Sequence, residues 1–132
     1  MNIATLRAEG TDAELKKLSE SLSLKIDVSW KQGDARRDGS KHSKAGFNSC
    51  ITDTDTPKLL LNDIREFMVR CKTRGLKFSD SGVSAQLDIG IGVGSSDQFA
   101  ASITFTPTEL QNFIDLGLEL CVSAYPVSDD EE

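Results

Sequence analysis

Little in this chain suits redox, metal or membrane chemistry. Among 132 residues there is one histidine, one tryptophan, one tyrosine, three prolines and three cysteines. One histidine and three scattered cysteines cannot form a typical zinc site without carboxylates, so no metal or cofactor is expected. Cys50, Cys71 and Cys121 are odd in number and far apart. That excludes a CxxC pair and a full disulfide framework, and it suits a reducing cytosol. No apolar run approaches the roughly 20 residues of a membrane span. The opening MNIATLRAEG has no basic patch followed by an apolar core, so no signal peptide is expected and the location is read as cytoplasmic. Excess positive charge is missing too. A net charge of -6 argues against generic nucleic-acid binding and leaves room for a basic partner.

What is present is alternation. Val83, Ala85, Leu87, Ile89, Ile91 and Val93 are apolar, and Ser84, Gln86, Asp88, Gly90 and Gly92 separate them. Side chains on a strand alternate faces, so this spacing predicts a strand with one apolar face. Phe99, Ala101, Ile103 and Phe105 repeat the pattern after the turn at Gly94–Asp97, which predicts a β-hairpin. Thr106-Pro107-Thr108-Glu109 reads as a capping box that opens a helix, with Leu110, Phe113 and Ile114 as its buried stripe and Gly117 as its terminator. Leu118, Leu120, Val122 and Ala124 alternate into a closing strand that Pro126 ends.

Earlier in the chain, Asn2–Glu9 predicts a strand with Ala4, Leu6 and Ala8 on one side. Thr11-Asp12-Ala13-Glu14 is a second capping box, before a helix that buries Leu15, Leu18 and Leu22. Leu24, Ile26, Val28 and Trp30 alternate as a strand, and Phe47–Thr52 predicts another with Phe47 and Ile51 on one face. Between them lies KQGDARRDGSKHSKAG, where five basic residues against Asp34 and Asp38 give a local charge of +3. It reads as a solvated, mobile loop. Thr56-Pro57 starts the longest helix, with Leu60, Ile64, Phe67, Met68 and Cys71 at helical spacing and Gly75 at its end. Leu76–Gly82 reads as a connection or a short edge strand. The order of elements predicts one α+β domain over residues 1–127. Its helices should pack on one face of a mainly antiparallel sheet, sandwich-like. Residues 128–132 form an acidic tail expected to be disordered.

Candidates for chemistry are few. Gly90-Ile91-Gly92-Val93-Gly94 resembles a phosphate loop only superficially, because a strand and not a helix is expected next and no GK[ST] follows. His42 has Ser40, Ser43, Asp34 and Asp38 near it in sequence, but a catalytic triad needs partners held by packing. An exposed spectator is expected, and Cys50 and Cys71 fall in core patterns. No DxDxDG loop points to calcium, and no residue set meets the nucleophile–base–orienter requirement. The chain is therefore expected not to be an enzyme. Two sets could contact a partner: Trp30, Arg36 and Arg37 as anchors at the rim of the basic loop, or the carboxylates Asp53, Asp55, Asp80, Asp88 and Asp97.

The opening TLRAEGTDAELKKL, the segment WKQGD at Trp30–Asp34 and the closing block SITFTPTELQNFIDLGLELCVSAYP resemble the bacterial family DUF4279. The resemblance implies a small cytosolic α+β domain, and some members of that family are suspected immunity proteins. The expected function is thus a non-enzymatic immunity or inhibitor protein that binds and neutralises a cognate protein toxin, a basic one on charge grounds. The expected state is monomer or homodimer, with no nucleic acid and no membrane. The alternative is a small-molecule or peptide-binding accessory domain that uses an exposed sheet face lined by Gln86, Asp88, Gly90 and Gly92.

Overall fold

Along the strand Asn2–Gly10 (β1), buried residues alternate with half-buried ones from end to end. Ala4, Leu6 and Ala8 lie directly opposite Ile89, Leu87 and Ala85 of the strand Ser84–Val93 (β4), and directly opposite residues share a face. A computed structural model describes residues 1–129 of the chain. In it β1 sits at the centre of a five-stranded sheet, between β4 and the strand Ala45–Asp53 (β3). The short strand Val28–Trp30 (β2) pairs outside β3, and Leu118–Pro126 (β5) pairs outside β4. All neighbours are antiparallel except β4 and β5, which run parallel.

Three helices cover one face of this sheet, and the expected α+β architecture is present. Asp12–Ser21 (α1) and Pro107–Leu116 (α3) both begin with complete capping boxes, Thr11 with Glu14 and Thr106 with Glu109. Pro57–Thr73 (α2) begins with Thr56, whose hydroxyl accepts from the Leu59 amide at 3.2 Å. Each such cap contributes about 1 kcal/mol. Leu15 and Leu18, then Leu60, Ile64, Phe67, Met68 and Cys71, then Phe113 and Leu116, join the inward side chains of the strands in one core.

The expected hairpin is not formed. Residues 99–105 make no ladder, because both edges of β4 are already taken, by β1 and by β5. Parallel strands also need a long crossover, and 94–106 together with α3 supply it. The alternation in 99–105 still reports burial: Ala101, Ile103 and Phe105 pack against the core. Phe105 meets Phe113 edge to face at 5.3 Å, while Phe99 is left 78% exposed. Gln98 anchors the segment, its Nε2 donating to Asn2 Oδ1 at 2.9 Å and to the Gly92 carbonyl at 2.6 Å.

Other expectations need correction. The strand expected from Leu24 is only Val28–Trp30, and Ile26 is exposed before it. A bulge in β3 pairs Ala4 with Thr52 and Thr5 with Cys50, so Ile51 is the extra residue. Thr52 is then buried as well, its hydroxyl donating to Asp63 Oδ2 at 2.6 Å, while Ile51 packs half-buried against the core. In α3 the buried pair is Phe113 and Leu116, whereas Leu110 and Ile114 are exposed. The helix lies towards the β5 side of the sheet and needs only a narrow stripe. The connection after α2 forms a single 3-10 turn, Phe78–Ser81, that buries Phe78 completely. Of the acidic tail, Asp129 accepts from the Ser96 amide at 2.6 Å and from its hydroxyl at 3.0 Å. Residues 130–132 lie outside the described residues. Among the described residues no helix is long and apolar enough to cross a membrane.

Two measurements check this packing. Phe78→Ala should cost about 3–5 kcal/mol in urea unfolding, and Val69→Ala, at an exposed position of α2, should stay within about 0.5 kcal/mol. Equal losses would contradict the assignment. The second concerns the Arg65–Glu109 ion pair between α2 and α3. The Arg65 guanidinium, helped by the Thr106 amide, pushes the Glu109 carboxyl from 4.5 down to about 2. The stability it contributes is therefore complete above the unfolded-state value and lost as pH falls through the folded one. Wild type and Glu109→Gln should differ above pH ~5 and converge near pH 2. A difference that persists at the acid end would contradict this.

Candidate functional site

The pleat that sends Ala4, Leu6 and Ala8 under the helices sends Thr5, Arg7 and Glu9 to the other side. Among the described residues no helix covers that side. Asn48 and Cys50 of β3 share it opposite Arg7 and Thr5, as do Gln86 and Asp88 of β4 and Glu119 and Cys121 of β5. The face is largely polar and continuous across the sheet.

Trp30 is its largest side chain. It pairs opposite Gly46, and its indole lies on that glycine: a Cβ there would come 2.3 Å from Trp30 Cζ2. Over the ring sits the Arg7 guanidinium, 4.8 Å from the centroid, a favourable cation–π distance. The His42 ring stacks on the same indole at 4.7 Å with 20° between planes. Arg36 Nε donates to His42 Nδ1 at 3.3 Å, which makes Nδ1 an acceptor. Arg7 also pairs with Glu9 at 3.2 Å.

The basic loop is folded rather than formless. Gly33 and His42 amides donate to His42 and Asp34 carbonyls at 2.8 Å each, and the Arg36 amide donates to the Ser40 carbonyl at 2.7 Å. Ala35 and Lys41 bridge across it. This reversal carries His42 back over Trp30, so the residue expected as an exposed spectator is half-buried in a stack. A triad is not assembled here. The Ser40 hydroxyl and amide donate to Asp38, holding its carboxyl below the usual range, while Asp38 makes no hydrogen bond to His42.

Among the described residues, three buried side-chain polar atoms make no hydrogen bond: Trp30 Nε1, Asn48 Oδ1 and Asp88 Oδ1. All three belong to this face. An unmade bond at a buried polar atom costs about 1–3 kcal/mol, so this face carries a local cost that the helix-covered face does not. Asp88 lies three strands from Trp30 in the sheet order, about 14 Å across at ordinary strand spacing.

The remaining predicted residues divide. Trp30 and Arg36 meet through His42, and Arg37 is exposed in the same loop. Asp53, Asp55 and Asp97 come together around a cleft of about 570 Å³ beside the start of α2. Asp80 stands apart in the 3-10 turn after α2. Among the described residues no group of His, Cys, Asp and Glu is placed to hold a metal. Cys50, expected in the core, is exposed on the open face, and partial burial with Asp27 and Asp53 nearby pushes its thiol up. Burial pushes Cys71 up to about 11. Neither thiol is an activated nucleophile. Gly90 and Gly92, expected to line an exposed face, lie on this side of the sheet but are buried: Ile3 and Tyr125 close over Gly90, and Met1 and Val127 over Gly92.

Sequence reasoning missed Arg7, His42 and Asn48 as members of one cluster. Only the six-residue separation of Arg36 and His42 across a polar turn hinted at any of it. Comparison with family models, with curated proteins and with solved structures finds no match. The resemblance to DUF4279 rests on its motifs alone.

Trp30 is the only tryptophan, so its emission reports this cluster directly. Gly46→Ala should force the indole off the sheet, change the emission spectrum and cost about 1–3 kcal/mol. An unchanged spectrum would contradict the described contact.

Proposed function

We propose that this chain is a non-enzymatic inhibitor of the immunity type, which binds a protein toxin through the helix-free sheet face and the loop beside it. The observation that carries a protein partner is the cluster of Arg7, Trp30 and His42 on the sheet face opposite the helices. Trp and Arg are the residue types most enriched at binding hot spots. A patch of about 800 Å² per partner, the usual size for a specific complex, spans the distance from Trp30 to Asp88. The concavity on this face, between Arg7, Glu9, Gln86 and Glu119, is about 150 Å³. Small-molecule sites are usually about 300–1,000 Å³, which favours a broad protein contact.

A toxin as the partner is supported by the resemblance and by the net charge of -6, whose field accelerates association with a basic protein. Free thiols at Cys50, Cys71 and Cys121 suit the proposed cytoplasmic location. A second reading, a small-molecule or peptide-binding domain, is favoured by one feature. The cleft at Asp53, Asp55 and Asp97 reaches about 570 Å³, within the ligand range. A melting temperature raised by a small ligand alone would select it.

The test is capture with the tagged full chain from cells that make it, at low and high salt, followed by mass spectrometry. One stoichiometric partner that is toxic when expressed alone is expected. Trp30→Ala should weaken that partner's binding about 30-fold, the scale of a hot-spot loss. Asp53→Asn and Asp97→Asn should leave it nearly unchanged. Absence of any specific protein, or a partner indifferent to Trp30→Ala, would overturn the reading.

A further inference from the structure

The sheet ends at β2 on one side and β5 on the other. β2 is only three residues long, a short edge of the kind that resists further pairing. β5 is nine residues long. It pairs with β4 in unbroken register from Leu118 to Pro126, and no strand pairs with its outer edge among the described residues. Natural edge strands are blunted by lysine, a bulge, a mid-strand proline or brevity. LELCVSAYP has none of these: its one charge is Glu119 and its proline comes last.

The helix layer beside this edge is apolar as well. In α3, Glu109 pairs with Arg65 of α2, and Asn112 and Leu116 share a groove with Met68. That side of α3 faces α2. Leu110 and Ile114 lie on the opposite side by helical spacing, above the free edge. Ile114 is 71% exposed and Val122, on the same layer of β5, is 52% exposed.

We propose that β5 is a self-association edge, where two copies of this chain pair β5 with β5 antiparallel about a two-fold axis. Such a contact is isologous, so each feature must complement itself. A strand edge does so, and Leu110 and Ile114 meet their own copies. An axis near Val122 sets Glu119 opposite Tyr125 of the second copy, so no like charges face each other. In a chain of net charge -6, this nearly uncharged strand is where two copies repel least. The strip is about 30 Å long, and with the sheet and helix layers about 20 Å deep, which amounts to ~600 Å² per copy and reaches the lower range of specific interfaces. The result is one continuous sheet with all helices on one side and both open faces on the other. It does not depend on the identity of any other partner.

Sedimentation of the full chain should give twice 14.3 kDa. Val122→Lys should return it to a monomer with a native circular dichroism spectrum, while Val28→Lys at the opposite edge should leave the dimer intact. Should Val122→Lys misfold, amide exchange on wild type decides: β5 protection should rise with protein concentration. A monomer at every concentration overturns the proposal. So does a dimer lost with Val28→Lys but not with Val122→Lys, or β5 protection that appears only when a different protein is added.

Discussion

The pairing of β1 with two strands at once is the constraint on which the rest of this structure depends. A central strand must satisfy both backbone edges and still send its side chains to opposite faces. Here the inward set is small, Ala4, Leu6 and Ala8, which lets three helices approach one side closely. The outward set is Thr5, Arg7 and Glu9, which water tolerates. Once β1 is placed, β3 and β4 are committed to its edges, β5 takes the remaining edge of β4, and the segment after β4 is left to cross over.

The same asymmetry generates the recognition surface. One side of the sheet has a core with Leu6, Leu87 and Ile89 fully buried. The other holds an indole seated on a glycine and in contact with a guanidinium and an imidazole. Gly46 belongs to both descriptions. It continues β3, and by lacking a Cβ it lets Trp30 lie flat beside Arg7. The open face thus carries order without a covering layer, and its buried unpaired atoms set it apart from a merely solvated sheet surface.

Local signals were legible in the sequence because their physics is local. The capping boxes at Thr11 and Thr106, the Pro57 start and the apolar spacing of α2 need only neighbours within a few residues. The faces of β1 and β4 were legible for the same reason. Residues 99–105 were misread because alternation reports which side chains are buried and not which backbone edges are free. The competitor for β4 was β1, more than eighty residues earlier. The site was less legible still. Trp30 and Arg36 stood out by residue type, but the joining of Arg7, His42 and Asn48 to them depends on β-pairing and on a loop reversal that no spacing announces. The burial of Thr52 next to Ile51 follows from a bulge that only the register with β1 could show.

Native-state hydrogen exchange tests the central placement of β1 most directly, since ladder hydrogen bonds in the middle of a sheet open only with global unfolding. Amides of Ala4–Ala8 and of the facing part of β4 should be the slowest in the chain, and amides of 99–105 should exchange through local opening, orders of magnitude faster. Protection of 99–105 equal to that of β4 would mean that the segment pairs with β4 as a hairpin, and the account of both faces would fall with it.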